Sequence, residues 1–207
     1  MAMAGALGSG AARICFYPTL LYTLVRERLP GSNRPWFHRI DRTVLLGALP
    51  LRGRTRQLVE EENVRGVLTL NEEYETRFLC CSSKEWEAMG VEQLRVSTVD
   101  LTGVPSLENL RKGVEFVLKH RKSGNSVYVH CKAGRARSAT MVAAYLIQLH
   151  GWSPQEAMDA IAKIRPHIII RHSHLQMLES FRNSVTEATT QKQQEAIHRI
   201  PLKSSGS

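Results

Sequence analysis

The chain is short of acid and of cysteine. Its 207 residues carry 19 Asp and Glu against 28 Lys and Arg, a net charge of +9 at pH 7. That balance favours an anionic partner: nucleic acid, an acidic membrane surface or a phosphorylated substrate. No basic run is interleaved with aromatics, so nucleic acid is not an expected partner. The four cysteines, Cys15, Cys80, Cys81 and Cys131, lack the spacing of a disulfide scaffold and fit a reducing or thiol-tolerant compartment. Zinc-ligand spacing is absent as well. His167, His172 and His174 cluster without Cys or carboxylate companions and read as surface residues, so neither a metal nor another cofactor is called for. Residues 14–25 are uncharged, but twelve residues are too few to cross a bilayer. There is no internal repeat. With 43% hydrophobic residues, the length suits one domain with a proper core and short extensions.

Three regions differ in texture. Residues 1–35 open with small residues and arginines, and the first acid is Glu27. An Arg-bearing, acid-poor start fits a mitochondrial address better than a secretory signal. Alternatively the segment lies in a membrane interface through Phe16, Tyr17 and Tyr22, although Pro18 argues against an uninterrupted helix there. Residues 36–185 alternate short apolar runs (44–46, 67–70, 91–96) with helical patterns, which implies an α/β sandwich. Ser106 caps a stripe of Leu107, Leu110, Val114, Val117 and Leu118, and Ser153 to Glu156 is a capping box with Pro154 at the first helical position. The run 140–149 is apolar nearly all round, so its helix should be buried. A last helix is expected near 175–185, followed by a polar tail, 186–207, that lacks a helical stripe and is expected to be disordered.

The chemistry concentrates in His130-Cys131-Lys132-Ala133-Gly134-Arg135-Ala136-Arg137-Ser138. It leaves the apolar run 127–129 and enters a helix, so it reads as strand, tight loop, helix. Free N–H groups at such a helix start bind an anion, and they lower the pKa of a thiol placed among them. Cys131 is therefore a candidate nucleophile and Arg137, with its planar fork, a phosphate clamp. A packing role for the cysteine would not call for Arg137 at this spacing. Ser138 can hydrogen-bond the sulfur or simply cap the helix, and His130 is expected to orient the loop and lower the thiol pKa. Attack on a phosphate ester also needs a proton donor to the leaving oxygen and an activator of water. Asp100, in a loop bounded by Gly103 and Pro105, is preferred over Asp41, in an Arg-rich turn, and Asp159, inside a helix. Lys132 and Arg135 add attraction for a substrate with a second negative group, unless they are merely solvated. The run Glu72-Glu73-Tyr74-Glu75 follows a strand end, where α/β proteins place site loops. Glu73 and Tyr74 are assigned to the substrate site, with one carboxylate expected to orient Arg137 or Lys132.

These residues resemble the cysteine-dependent dual-specificity phosphatase branch of the protein tyrosine phosphatase superfamily. The similarity runs from Leu45-Leu46-Gly47 through Asp100 and the 130–138 signature to Ala144-Tyr145-Leu146-Ile147 and Ile164-Arg165-Pro166. It implies a three-layer α/β sandwich with a central mixed, mostly parallel sheet. It also implies metal-independent hydrolysis through a phosphocysteine, with Cys131 as nucleophile, Arg137 as clamp, Asp100 as acid and the 132–136 loop as phosphate cradle. Within the branch, residues 16–22, 71–75 and 131–135 resemble mitochondrial members that dephosphorylate phosphatidylglycerophosphate on the way to cardiolipin. This implies an anionic phospholipid substrate and a peripheral place on the inner membrane, matrix face. Phosphoproteins are the alternative substrates, and a catalytically dead phosphate-binding adaptor is a third reading. Retention of Cys131, Arg137 and Asp100 together speaks against the adaptor. One departure is Ala136, where the family commonly has Ser; because the cradle is mainly backbone N–H, altered efficiency rather than inactivity is expected.

Overall fold

In the computed structural model of the chain, which describes Ile14 and residues 16–26, 29 and 34–198, the apolar runs line up in one sheet. Its strands are β1 (Phe37–Arg39), β2 (Val44–Gly47), β3 (Val64–Thr69), β4 (Glu92–Arg95) and β5 (Ser126–His130), in the order β1-β2-β5-β3-β4. Only β1 pairs antiparallel; the other three pairings are parallel. The expected mixed, mostly parallel sheet is thus present. Central β5 is buried throughout, which is why its sequence reads as a continuous apolar run rather than an alternation.

The pleat divides the strand residues between two cores. Leu46, Leu68, Val127 and Val129 face α4 (Leu107–Lys122), α5 (Arg137–His150), α6 (Pro154–Ile164) and α7 (His172–His198). Leu45, Val67 and Tyr128 face the opposite layer, where Trp86 of α3 (Ser83–Ala88) and Leu58 of a π-helical turn (Gln57–Glu61) cover them. Each fully buried apolar side chain contributes about 1.5–3 kcal/mol relative to exposure. The caps fall as read: Ser106 Oγ accepts from the amide of Asn109 at 3.2 Å, and Ser153 and Glu156 exchange their two bonds at 3.2 and 2.7 Å. Gly151, at φ 71°, closes α5 in the left-handed region that a side chain would strain.

Both ends depart from expectation. The last helix does not stop near 185: α7 continues through residues read as a disordered tail to His198, and only residues 199–207 lie outside the described part. Leu178 and Phe181, fully buried, anchor its first half. Good helix formers such as Glu187, Ala188 and Gln191 then propagate a helix already nucleated, with no stripe needed.

At the other end, residues 16–26 form a helix, α1, with Pro18 in the first turn of that run, where its missing N–H is tolerated. Residues 1–13, which carry most of the expected address signal, lie outside the described residues. α1 is not a separate appendage, as the 1–35 boundary implied. Phe16 and Leu20 are buried against Trp36, Ala48, Leu49 and Cys80, while Tyr17, Leu21 and Val25 face outward. Among the described residues no helix is long and apolar enough to cross a membrane.

Candidate active site

The site is built where β5 ends. The chain turns through residues 131–136 and starts α5 at Arg137, with Ala136 at the N-cap, whose side chain makes no capping hydrogen bond. The first-turn amides and the helix dipole therefore point at whatever anion the loop holds. Every residue of α5 from Arg137 to Ile147 is buried, so the loop rests on a rigid base. Gly134 sits at φ +64° with its α-carbon against β2: a Cβ there would lie 2.5 Å from the Gly47 carbonyl group.

Cys131 lies in the loop, 4% exposed. Ser138 Oγ donates to its sulfur at 3.2 Å, and the backbone amides of Ser138 and Arg135 donate as well. Burial pushes the thiol pKa up, but the Arg137 charge and these donors outweigh it and leave the pKa below the ordinary thiol value. The loop thus favours the thiolate form more than an ordinary thiol's surroundings do. His130 adds no positive charge to this: it is fully buried, its pKa pushed down to about 3, with Nε2 bonded to Thr69 Oγ1 at 2.9 Å. A neutral ring does not depress the thiol by charge, and the Thr69 bond is consistent with an orienting role.

Arg137 is held on three sides. Nη1 and Nη2 donate to the two oxygens of Glu75 at 2.9 and 3.0 Å, Nη1 also to the Thr98 carbonyl at 2.7 Å, and Nη2 also to Asp100 Oδ1 at 2.8 Å. Burial alone would lower its pKa; the carboxylates and the thiolate keep it firmly protonated. The carboxylate that orients the clamp is therefore Glu75, not Glu73. α2 (Glu73–Thr76) explains the difference. Glu72 is its N-cap and Glu75 its third residue, turned inward and tied to Asn71 Nδ2 and the Glu72 amide, whereas Glu73 is exposed on the far side. Tyr74 also stays out of the pocket, packing its ring on Phe16 at 5.8 Å. Helical spacing from Asn71 to Glu75 was the available sequence signal.

Asp100 and Lys132 meet each other. The Lys132 ammonium contacts Asp100 Oδ2, donates to Thr19 Oγ1 of α1 at 2.7 Å and lies 5.5 Å from the Phe16 ring. Lys132 is thus buried at the site rather than solvated at its rim. Arg135 is half-buried, with Nε on the His167 carbonyl at 2.9 Å. Cys131, Ala133, Ala136 and Arg137 line a cavity of about 280 Å³ whose mouth is framed by Tyr22 of α1, Leu101 and Ile169. Among the described residues no group of metal-ligating side chains comes together.

One residue, quoted above in the resemblance, has no role assigned from sequence. Arg165, 1% exposed, donates to the carbonyls of Gly134 at 2.8 Å, Ala133 at 3.1 Å and Pro35 at 3.1 Å, and reaches His38 Nδ1 at 2.9 Å. By pinning the loop's carbonyls outward it leaves the amides turned inward. The arrangement supplies a nucleophile, an anion cradle, an oriented guanidinium and a carboxylate in one pocket, the parts that phosphoryl transfer through a thiolate needs.

Comparison with known proteins agrees with this geometry. The family described as dual specificity phosphatase, catalytic domain, matches residues 56–184. The phosphatidylglycerophosphatase and protein-tyrosine phosphatase 1 of Homo sapiens is 65% identical over 191 residues, 92% of this chain and 95% of that protein. The phosphatidylglycerophosphate phosphatase PTPMT2 of Arabidopsis thaliana is 39% identical over 175 residues, 84% and 74% of the two chains. A crystal structure of PTPMT1 in complex with PI(5)P has a TM-score of 0.74 at 67% identity, covering 75% of this chain and 99% of that one.

Proposed function

The chain belongs to the dual specificity phosphatase family and is a cysteine-based phosphatase, and from that premise we propose that it hydrolyses the phosphomonoester of phosphatidylglycerophosphate at the inner mitochondrial membrane. The observation that carries the chemical part is Cys131, its sulfur receiving hydrogen bonds at the start of α5, in one pocket with Arg137 and Asp100.

The reaction proceeds in two steps. Phosphate oxygens occupy the loop amides and the Arg137 fork. Because Asp100 now holds Nη2, an arriving phosphate displaces that carboxylate from the guanidinium while Nη1 stays on Glu75 and Thr98. The Cys131 thiolate attacks phosphorus, the ester P–O bond breaks, and protonated Asp100 gives its proton to the departing oxygen. Water then attacks the phosphocysteine, Asp100 takes its proton, and the P–S bond breaks. Ser138 Oγ–H, already on the sulfur, stabilises the returning thiolate. Loss of a hydroxyl at Ala136 removes no backbone donor from the cradle, so the site remains competent.

The anionic lipid assignment is supported by what the relatives are named to act on, by the net charge of +9 and by the apolar mouth. Tyr22 is 52% exposed, Leu101 46% and Ile169 42%. With Tyr17, Leu21 and Val25 on the outer face of α1 they suit peripheral contact with a bilayer interface. The test compares phosphate release from phosphatidylglycerophosphate vesicles, phosphoinositide vesicles and phosphopeptides, with Cys131→Ser as the blank. Preference for the peptides would overturn the lipid assignment, and release by the Cys131→Ser protein would overturn the mechanism. A reporter fused to residues 1–35 tests the compartment: a diffuse cytosolic signal would overturn the mitochondrial assignment.

A further inference from the structure

Beside the reaction pocket lies a second cavity with an unusual wall. Tyr22 and Arg26 of α1, then Arg34, Arg135, Arg165 and His167, converge on it, and it shares Tyr22, Thr23, Ala133 and Arg135 with the pocket that holds Cys131. Four guanidiniums thus face one small volume, and no carboxylate among the described residues pairs with any of them. Arg165 spends its donors on the carbonyls of Gly134, Ala133 and Pro35 and on His38. Arg135 commits Nε alone, Arg26 only Nη1, to the Tyr22 hydroxyl at 2.6 Å, and Arg34 bonds to none of the described residues.

The crowding shows in the titration of the neighbours. His167 is pushed down to about 3, first by burial and then by Arg165, Arg34 and Arg135, and Arg135 is lowered by burial and by Arg34. Like charges gathered without counter-charge cost folding energy unless an anion offsets them. Unspent guanidinium forks match the paired oxygens of a phosphate group.

We propose that this cavity is a second anion site, which binds the phosphodiester of the substrate while its phosphomonoester sits in the Cys131 loop. The inference rests on the lipid reading above and extends it: the protein recognises two phosphate groups joined by one glycerol, and Arg135, on the wall common to both cavities, stands between them. Half of the second site comes from residues ahead of 36, so α1 takes part in substrate recognition. As it stands the cavity measures about 30 Å³, room for roughly one water, and the hydrogen-bonded Tyr22–Arg26 pair forms part of its wall. Tyr22, half exposed, must swing aside for the diester to enter.

The experiment uses the full chain and soluble substrates, so that adsorption to a membrane plays no part. Short-chain phosphatidylglycerophosphate below its aggregation threshold carries both groups; glycerol 3-phosphate carries only the monoester. The Arg26→Ala/Arg34→Ala double variant should lower the ratio of the two kcat/KM values about tenfold, through KM, since a charge-assisted hydrogen bond contributes on the order of tenfold or more to binding. The double Lys variant should retain most of the ratio. Melting temperatures of all proteins show that the fold is kept. An unchanged ratio in an enzyme that cleaves both substrates, or an equal loss on both, overturns the second site alone. A wild type that cleaves glycerol 3-phosphate and not the short-chain lipid overturns the lipid reading itself. If the ratio is unchanged while inorganic phosphate inhibits the wild type at two sites and the double variant at one, the cavity serves free phosphate and the diester assignment falls.

Discussion

Replacing Glu75 by Gln tests the arrangement at its most constrained point. The Glu75 side chain is 0% exposed and that of Arg137 3%, and both carboxylate oxygens accept from the guanidinium. Glutamine keeps the shape but turns one acceptor into an N–H donor. Placed at Oε2, that amide faces Arg137 Nη2 and Asn71 Nδ2; placed at Oε1, it faces Nη1 and the Glu72 amide. Either orientation sets donor against donor. The lost attraction of unit charges about 4 Å apart at an effective dielectric near 20 is about 4 kcal/mol, and breaking a buried pair costs about 3–5 kcal/mol. Asp100 still contacts Nη2, which places the loss near 3 kcal/mol, or roughly 6–12 °C of melting temperature for a chain of this length. An unoriented guanidinium should also reduce kcat/KM on a soluble aryl phosphate by on the order of 100-fold. Melting and turnover are measured on the same preparation, beside Glu73→Ala, whose exposed side chain should keep stability within about 0.5 kcal/mol and leave turnover near wild type. A Glu75→Gln protein that melts within 2 °C of wild type and turns over normally would refute the claim that this pair holds the clamp, as would a larger loss in Glu73→Ala.

Three further outcomes follow from the same geometry. The pH midpoint for alkylation of Cys131 by iodoacetamide should lie below the ordinary thiol value of about 8.5, because Arg137 and the donors outweigh burial, and Arg137→Met should move it upward; a midpoint at or above about 8.5 in the wild type would contradict a depressed thiol pKa. In Ser138→Ala the sulfur loses the hydroxyl that stabilises it as leaving group, so rapid mixing with an aryl phosphate should show a burst of phenol and then slow turnover; the absence of any burst would remove Ser138 from the second step. His130, held neutral to about pH 3 by burial against 6.5 when unfolded, binds fewer protons folded than unfolded across that window, so stability must fall as pH drops below 6.5, by up to about 1.4 kcal/mol per unit. Urea midpoints taken from pH 7 to pH 4 should fall less steeply in His130→Asn, and parallel slopes would refute the assignment.

Much of the fold was readable because its signals are local. Ser106 and Ser153 announce α4 and α6 by side chains that reach only three residues forward, and the buried strands announce themselves by short apolar runs. The edge strand Phe37–Arg39, three residues long and only partly buried, carries no such pattern and was missed. The tail was misjudged for a related reason: residues 186–198 have no apolar stripe of their own and inherit their helix from the packing of Leu178 and Phe181 upstream. At the site, the strand-loop-helix signature placed Cys131, Arg137 and Ser138 together because they are neighbours in sequence as well as in space.

The sequence by itself determined the chemistry: a thiol and a guanidinium at the two ends of one short loop leading into a helix that is apolar on nearly all sides. Which carboxylate orients that guanidinium was decided only in three dimensions, since Glu75 and Arg137 lie 62 residues apart. So was the role of α1, whose Thr19 meets Lys132 across 113 residues. Loop, cap and strand preferences act over a few residues, and a sequence displays them directly. Pairings between distant side chains depend on how the sheet order β1-β2-β5-β3-β4 brings loop ends to one edge, and on which face of a helix turns inward once the core has packed.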